Sequence, residues 1–209
     1  MKGPLIPVDV VKWRVARNER HGRRRGDPSV YYVTHLGQCS LKRLFEIRLA
    51  DEVRNLGVLN GRLLFGDVVH AGVLAILKEV YGDRIKTELE DGDAVSAEKV
   101  VVVDGRKYTV AGRIDAILDN VIGIEVKSNT SPPDEPLPLP WHVAQARAYN
   151  WLFNLQKTLL VYVTPHGIYQ FEVSEPMRED EVREAIREEK APRWSWEGRH
   201  CEFASPCHV

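Results

Sequence analysis

The sequence predicts a mixed α/β (α+β) fold, a central mixed sheet with helices on both sides. Two stretches with apolar residues at helical spacing come first, followed by a block of strand-like segments. A third helical stretch then separates that block from two more strands, and a charged helical segment comes after them. With 209 residues, 44% of them hydrophobic, the chain fits one globular domain that can bury a substantial core.

Residues 1–30 are expected to be irregular, ending in Gly26-Asp27-Pro28-Ser29. Within residues 11–26, Lys12, Arg14, Arg17, Arg20, Arg23, Arg24 and Arg25 face Glu19 alone, a local +6 in a chain of net charge −1. Such a block suits contact with a polyanion, and a solvated arm equally well. From Thr34 to Gly57 a helical region starts near Cys39: Leu41, Leu44, Phe45, Leu49, Val53 and Leu56 recur at helical spacing. Lys42, Arg43, Arg48 and Arg54 fall on its other faces, the pattern of a solvated surface. A second helix runs from Gly61 to Tyr81, with Phe65, Val69, Val73, Ile76, Leu77 and Val80 as its stripe. His70 lies inside it, where a hydrogen-bonded core histidine and a ligand are both open readings.

Residues 86–90, 98–103, 106–118 and 121–128 are strand segments, reversed at Gly105 and at Asp119-Asn120. The stretch 129–140, with five prolines, excludes a helix or a central strand and forms a stiff loop. The third helix spans Trp141 to Gln156, a hairpin turns around Pro165-His166-Gly167, and a last helix runs from Ser174 and Pro176 to Lys190. No apolar run approaches the ~20 residues of a membrane span. The N-terminal MKGPLIPVDVVKWR lacks the continuous apolar region of a secretory signal, so a cytoplasmic protein with no membrane partner is expected.

The chemistry concentrates in GRIDAILDNVIGIEVKS, Gly112 to Ser128. Strand alternation puts Glu125 and Lys127 on one face and Val126 on the other, toward the core. Folding back near Asn120 sets Asp115 opposite Glu125 across a turn of about three residues. Two carboxylates beside an ammonium suit a hard divalent cation such as Mg2+ or Mn2+. The same three residues alone also fit a surface salt-bridge cluster. Gln145 and Tyr149, four apart, share one face of the third helix, with His142 close to it.

The three cysteines, Cys39, Cys201 and Cys207, are an odd set and argue against a disulfide framework. A metal held by them would join the two ends of the chain; ordinary buried thiols are the other reading.

His70, Gly112-Arg-Ile-Asp115, Glu125-Val-Lys127 and Gln145-x-x-x-Tyr149, in that order, resemble the motifs of the PD-(D/E)xK nuclease superfamily and its RecB-like branch. The resemblance covers residues 34–174. The cysteines narrow it to the CRISPR-associated RecB-like exonuclease family, the fourth core Cas family. There an N-terminal cysteine and three C-terminal ones, spaced C-x2-C-x5-C, hold an iron–sulfur cluster. Cys39 matches the first and Cys201 with Cys207 the C-x5-C part, but Gly198 stands where the family has a cysteine.

The resemblance implies a restriction-endonuclease-like mixed sheet flanked by helices, in one nuclease domain over residues 1–209. Residues 1–30 are its basic arm, and residues 191–209 with Cys39 form a small metal-binding subregion. It implies Mg2+ or Mn2+ on His70, Asp115, Glu125 and the Val126 carbonyl. Lys127 would orient the attacking water or stabilise charge on the phosphorane. Gln145 and Tyr149 would support the site or the DNA backbone, completing a catalytic set of Asp115, Glu125, Lys127, Gln145 and Tyr149. Cys39, Cys201 and Cys207 would hold the iron–sulfur cluster, with [4Fe–4S] favoured and the fourth ligand either His200, His208 or missing. Three cysteines with one histidine would equally suit structural zinc. Arg20, Arg23, Arg24 and Arg25 would contact DNA. The implied reaction is hydrolysis of single-stranded DNA, from 5′ to 3′, preparing spacers for CRISPR arrays beside integrase proteins. A homo-oligomer is compatible with the sequence. Two other readings stand beside this one: a catalytically silent DNA-binding adaptor, and a repair nuclease outside CRISPR.

Overall fold

The computed structural model describes residues 6–21, 26–49, 61–90, 92–129, 136–188, 190–201, 203 and 207. The first correction to the sequence reading comes at the N-terminus. Ile6–His21 is a helix (α1), not an irregular arm. Pro7 sits in its first turn, where a missing N–H costs nothing, and no glycine interrupts it. Arg14 on α1 is buried, and its Nε lies 2.7 Å from Asp67 Oδ2. Asp67 belongs to Gly61–Tyr81 (α4), so one cation of the basic block pins α1 to α4.

Val30–Tyr32 (β1) leads into two short helices, Val33–Leu36 (α2) and Ser40–Arg48 (α3). The helical region expected from Thr34 is thus interrupted between Gly37 and Cys39; its end at Gly57 lies outside the described residues. Arg43 is also corrected: it is buried rather than on a solvated face. Its Nη2 donates to the carbonyls of Pro28 (2.7 Å) and Val30 (3.2 Å), and its guanidinium lies 3.6 Å from the centre of the Tyr31 ring. Five donors in a rigid fork let an arginine survive burial when carbonyls and an aromatic face meet it.

The strands are Ile85–Thr87 (β2), Ser96–Val103 (β3), Arg106–Arg113 (β4), Ala116–Leu118 (β5), Ile122–Ser128 (β6), Lys157–Thr164 (β7) and Gly167–Val173 (β8). They form two sheets rather than one, ordered β1-β4-β3 and β2-β5-β6-β7-β8. Both are mixed: β1 runs parallel to β4 and β6 parallel to β7. The continuous strand expected over 106–118 breaks at Ile114 and Asp115. Ile114 donates its N–H to Val95 (3.1 Å), while the Asp115 carbonyl accepts from Glu88 (3.1 Å). The chain thereby leaves β3 and enters the second sheet beside β2 and β6.

Helices cover both faces of the five-stranded sheet, as expected. Leu74 on α4 packs with Ile85, Ala116, Leu118, Ile124 and Val126 on one face. Ala146, on the helix Pro140–Phe153 (α5), packs with Leu160, Tyr162 and Val173 on the other. Parallel β6 and β7 need a crossover connection, and α5 supplies it. The charged helix Glu179–Arg187 (α6) buries Val182 and Ile186, which join a further cluster with Val101, Val103 and Val110. A four-residue helix, Glu197–His200 (α7), lies near the end of the described chain. Among the described residues no helix is long and apolar enough to cross a membrane.

Candidate active site

The β5–β6 turn has the predicted form. The ladder closes at Leu118↔Ile122, leaving Asp119, Asn120 and Val121 as the loop. Asp119 (φ 52°) and Asn120 (φ 61°) are left-handed, a conformation that Asp and Asn tolerate best after glycine. Extending the register past Ala116↔Ile124 sets Asp115 across from Glu125. Asp115 meets its neighbour strand through its side chain: Oδ2 accepts the Val126 N–H at 2.7 Å. The Val126 amide is thereby engaged by the first of the two acids.

Glu125, Lys127 and Gln145 form one hydrogen-bonded triangle. Lys127 Nζ donates to Glu125 Oε1 and to Gln145 Oε1, both at 2.8 Å. Gln145 Nε2 donates to Glu125 Oε1 at 3.0 Å and approaches the Tyr149 hydroxyl at 3.1 Å. The Tyr149 hydroxyl in turn donates to the Arg113 carbonyl at 2.8 Å, tying α5 to the end of β4. His70 Nδ1 stands 3.4 Å from Asp115 Oδ2. All six side-chain positions singled out for the nuclease motif thus fall together: His70, Asp115, Glu125, Lys127, Gln145 and Tyr149.

The electrostatics separate the two acids. Burial pushes both carboxyls up. For Asp115 the opposing influences win: the hydrogen bond and charge of His70, the charge of Lys127 and the Val126 N–H hold it below its ordinary value. For Glu125, burial and then the charge of Asp115 raise the carboxyl to about 7. Burial lowers His70, but the hydrogen bond and charge of Asp115, with Glu125, leave it raised overall. Glu125 Oε2 is buried and has no hydrogen-bond partner among the described residues. A buried carboxylate oxygen without a partner is costly, and it is the kind of position a cation fills.

A second feature gathers the cysteines. Cys39, Cys201 and Cys207 line one cavity of about 80 Å³, together with Trp196, Glu197 and Gly198. The segment before α3 and the C-terminal segment meet here through Glu197, a residue the sequence reading missed. Its Oε1 accepts the Cys39 N–H at 2.8 Å, and its Oε2 accepts the N–H groups of Arg193 (2.8 Å) and Trp194 (3.0 Å). Trp194 Nε1 donates to the Gly37 carbonyl at 2.7 Å, and Phe45 stacks on Phe203. A lone Glu in a charged tail gives no periodic signal, so nothing in the sequence marks it.

No family model matches the chain. It is 31% identical over 198 residues to the CRISPR-associated exonuclease Cas4 of Saccharolobus solfataricus (strain ATCC 35092 / DSM 1617 / JCM 11322 / P2), covering 90% of this chain and 92% of that protein. The chain belongs to the CRISPR-associated exonuclease Cas4 family. The crystal structure of SSO0001 superimposes with a TM-score of 0.83 at 30% identity, over 98% of this chain and 96% of that one. An alkaline exonuclease (LHK-Exo) from Laribacter hongkongensis superimposes with a TM-score of 0.51 at 9% identity, over 76% and 84%, a likeness of fold alone.

The remaining expectations fall unevenly on this Cas4-family chain. Among the described residues, no three His, Cys, Asp or Glu side chains are grouped tightly enough to hold a metal ion. In the acidic cluster, Asp115 and Glu125 are turned toward the Val126 amide, His70, Lys127 and Gln145 instead. Arg23, Arg24, Arg25 and His208 lie outside the described residues, as do the side chains of Arg20 and His200. Two side chains beside the site went unassigned: Tyr162, whose hydroxyl accepts the Leu139 N–H at 3.1 Å, and His142, 2.9 Å from that hydroxyl.

Proposed function

We propose that the chain is a Mg2+- or Mn2+-dependent exonuclease that hydrolyses single-stranded DNA from the 5′ end, in the cytoplasm, preparing spacers beside the integrase proteins of CRISPR adaptation. One observation carries the reading: the buried Glu125 Oε2, without a hydrogen-bond partner among the described residues, lies in a cluster with Asp115, His70 and Lys127. That donor set is hard and anionic, which fits a divalent cation. His70, Asp115, Glu125 and the Val126 carbonyl would hold it. The ion, when bound, supplies polarisation of the scissile phosphate and a water of lowered pKa.

The chain's own residues supply orientation. An ammonium has three donors. Two of those on Lys127 are fixed on Glu125 and Gln145, which leaves the third for an attacking water or a phosphate oxygen. Gln145 uses its oxygen on Lys127 and its amide on Glu125, so it sets both groups at once. Tyr149 anchors Gln145 from the next turn and is itself held on Arg113. We place Arg20, Arg23, Arg24 and Arg25 on the DNA backbone: α1 is attached by Arg14 to α4, the helix that carries His70.

Cys39, Cys201 and Cys207 would hold an iron–sulfur cluster. Three soft thiols lining one cavity are the ligand type such a group takes. A cluster there would fasten the α3 start to the C-terminal segment, reinforcing the link that Glu197 already makes. The fourth position is open at Gly198, which lines the same cavity with nothing within 4 Å of an added Cβ.

The test is a time course on single-stranded DNA labelled at either end, with Mn2+ and with chelator. Loss of 5′ label as short products, in Mn2+ only, is expected. Degradation that persists in chelator contradicts metal dependence, and products released from the 3′ end contradict the polarity.

A further inference from the structure

His142 is a half-buried histidine one turn before Gln145 on α5, and the nuclease mechanism above leaves it unused. Its ring is held from one side. Tyr162 on β7 is 1% exposed, and its hydroxyl sits between two groups, the Leu139 N–H at 3.1 Å and His142 Nδ1 at 2.9 Å. The Leu139 amide can only donate, so the hydroxyl oxygen accepts from it. Among the described residues the hydroxyl's own proton then has one acceptor in reach, His142 Nδ1. The opposite tautomer would leave a buried hydroxyl proton without a partner, at the cost of an unmade hydrogen bond. Accepting at Nδ1 places the imidazole proton on Nε2.

Three further observations put His142 on the same side of the sheet as Lys127, with Nε2 available to a ligand. Lys127 and Tyr162 are register partners on the parallel strands β6 and β7, so their side chains rise from one face of the sheet. His142 and Gln145 are three apart on the helix above that face, and Gln145 binds Lys127. Among the described residues Nε2 has no protein partner, and it is not a buried orphan either. The ring also stays uncharged: burial, and then the charge of Lys127, push its pKa down to about 2.

We propose that His142 is a further substrate-contact residue of the nuclease site. Its Nε2–H, fixed as a donor by the Tyr162 hydroxyl, hydrogen-bonds a non-bridging phosphate oxygen of the DNA strand beside Lys127. The inference rests on the nuclease reading. A neutral donor there adds a directional bond to the phosphate without placing a second cation against Lys127. Tyr162 acts through His142 and is a positioning residue.

The experiment measures the single-turnover rate of Mn2+-dependent cleavage of single-stranded DNA by wild type, His142→Leu, His142→Gln and Tyr162→Phe, with melting temperatures alongside. His142→Leu is expected to cleave about 10- to 100-fold more slowly, the range for one hydrogen bond to a charged group. His142→Gln places an amide N–H near the same point and is expected to recover most of that loss. Tyr162→Phe keeps the ring but frees its tautomer, and a smaller loss is expected. A DNA carrying a neutral methylphosphonate at the scissile linkage gives an independent readout. The penalty of His142→Leu should shrink on it, because the acceptor is weakened for wild type too. Cleavage by folded His142→Leu at the wild-type rate, with wild type active, overturns the proposal and leaves the nuclease reading standing. So does an equal loss in His142→Gln and His142→Leu, or an undiminished penalty on methylphosphonate DNA. Wild type that does not cleave at all removes the nuclease reading, and this proposal with it.

Discussion

Gln145 Oε1 accepts a hydrogen bond from Lys127 Nζ at 2.8 Å, joining α5 to β6 across the site. The same amide donates to Glu125 at 3.0 Å, so it fixes a cation and an acid that lie two residues apart on one strand. Gln145→Leu removes both bonds at once. The variant is expected to fold and to bind DNA, but to lose about 10- to 100-fold in the single-turnover rate, as for a lost positioning group. Cleavage assays beside a DNA-binding titration check it.

Gly112, the first residue of the Gly-Arg-Ile-Asp motif, is a packing glycine. A Cβ there would stand 2.7 Å from both Leu152 Cδ2 and Val33 Cγ2, and 3.2 Å from the Tyr149 ring. Gly112→Ala is expected to cost about 1–3 kcal/mol through overpacking. It should also lower activity, because the displaced ring is the one that holds Arg113 and Gln145. Chemical denaturation gives the first quantity and DNA cleavage the second.

Metal binding should depend on pH through Glu125. Its folded carboxyl is raised from 4.5 to about 7, so the folded, metal-free protein holds a proton between those values that the unfolded chain has released. The stability from this group is therefore present below 4.5 and is lost as pH rises through about 7. A divalent cation must displace that proton. Its apparent affinity should weaken by about tenfold for each pH unit below 7 and level off above it. His70, also raised, adds to the trend in the same direction. Mn2+ titrations across this range measure the slope; a flat profile contradicts the placement of the ion on Glu125.

At the cysteine cavity, Gly198→Cys would add a fourth thiol where space already exists. Iron content and visible absorbance of anaerobically reconstituted protein are expected to rise and to survive air longer than in the wild type. Unchanged iron and spectrum would show that the three thiols do not hold a cluster.

The β5–β6 hairpin was legible because its signals are local. Period-two alternation placed Glu125 and Lys127 on one face, and Asp119-Asn120 fixed the turn that brings Asp115 across. Helices α4 and α5 lie where the sequence predicts them, but the stripe expected on α4 is corrected: Phe65, Ile76 and Val80 are exposed, and Leu74, outside that stripe, is the residue it buries. The features that escaped depend on partners far away in the chain. β1 is three residues long and exists by pairing with β4, almost 80 positions on. The break at Ile114 and Asp115 follows from competition between two sheets, which no pattern within 106–118 encodes. The Tyr162–His142 bond crosses from strand to helix, and α1 reads as an arm until Asp67 accepts Arg14. Glu197 shows the same limit, since its three backbone donors come from two ends of the chain.

The most direct test is degradation of single-stranded DNA in Mn2+ by wild type, Asp115→Ala and Lys127→Ala, each checked for folding and for DNA binding. The account predicts that both variants fold and bind DNA as wild type does, and that neither degrades it. Undiminished degradation by both variants would contradict a nuclease site built on Asp115, Glu125 and Lys127.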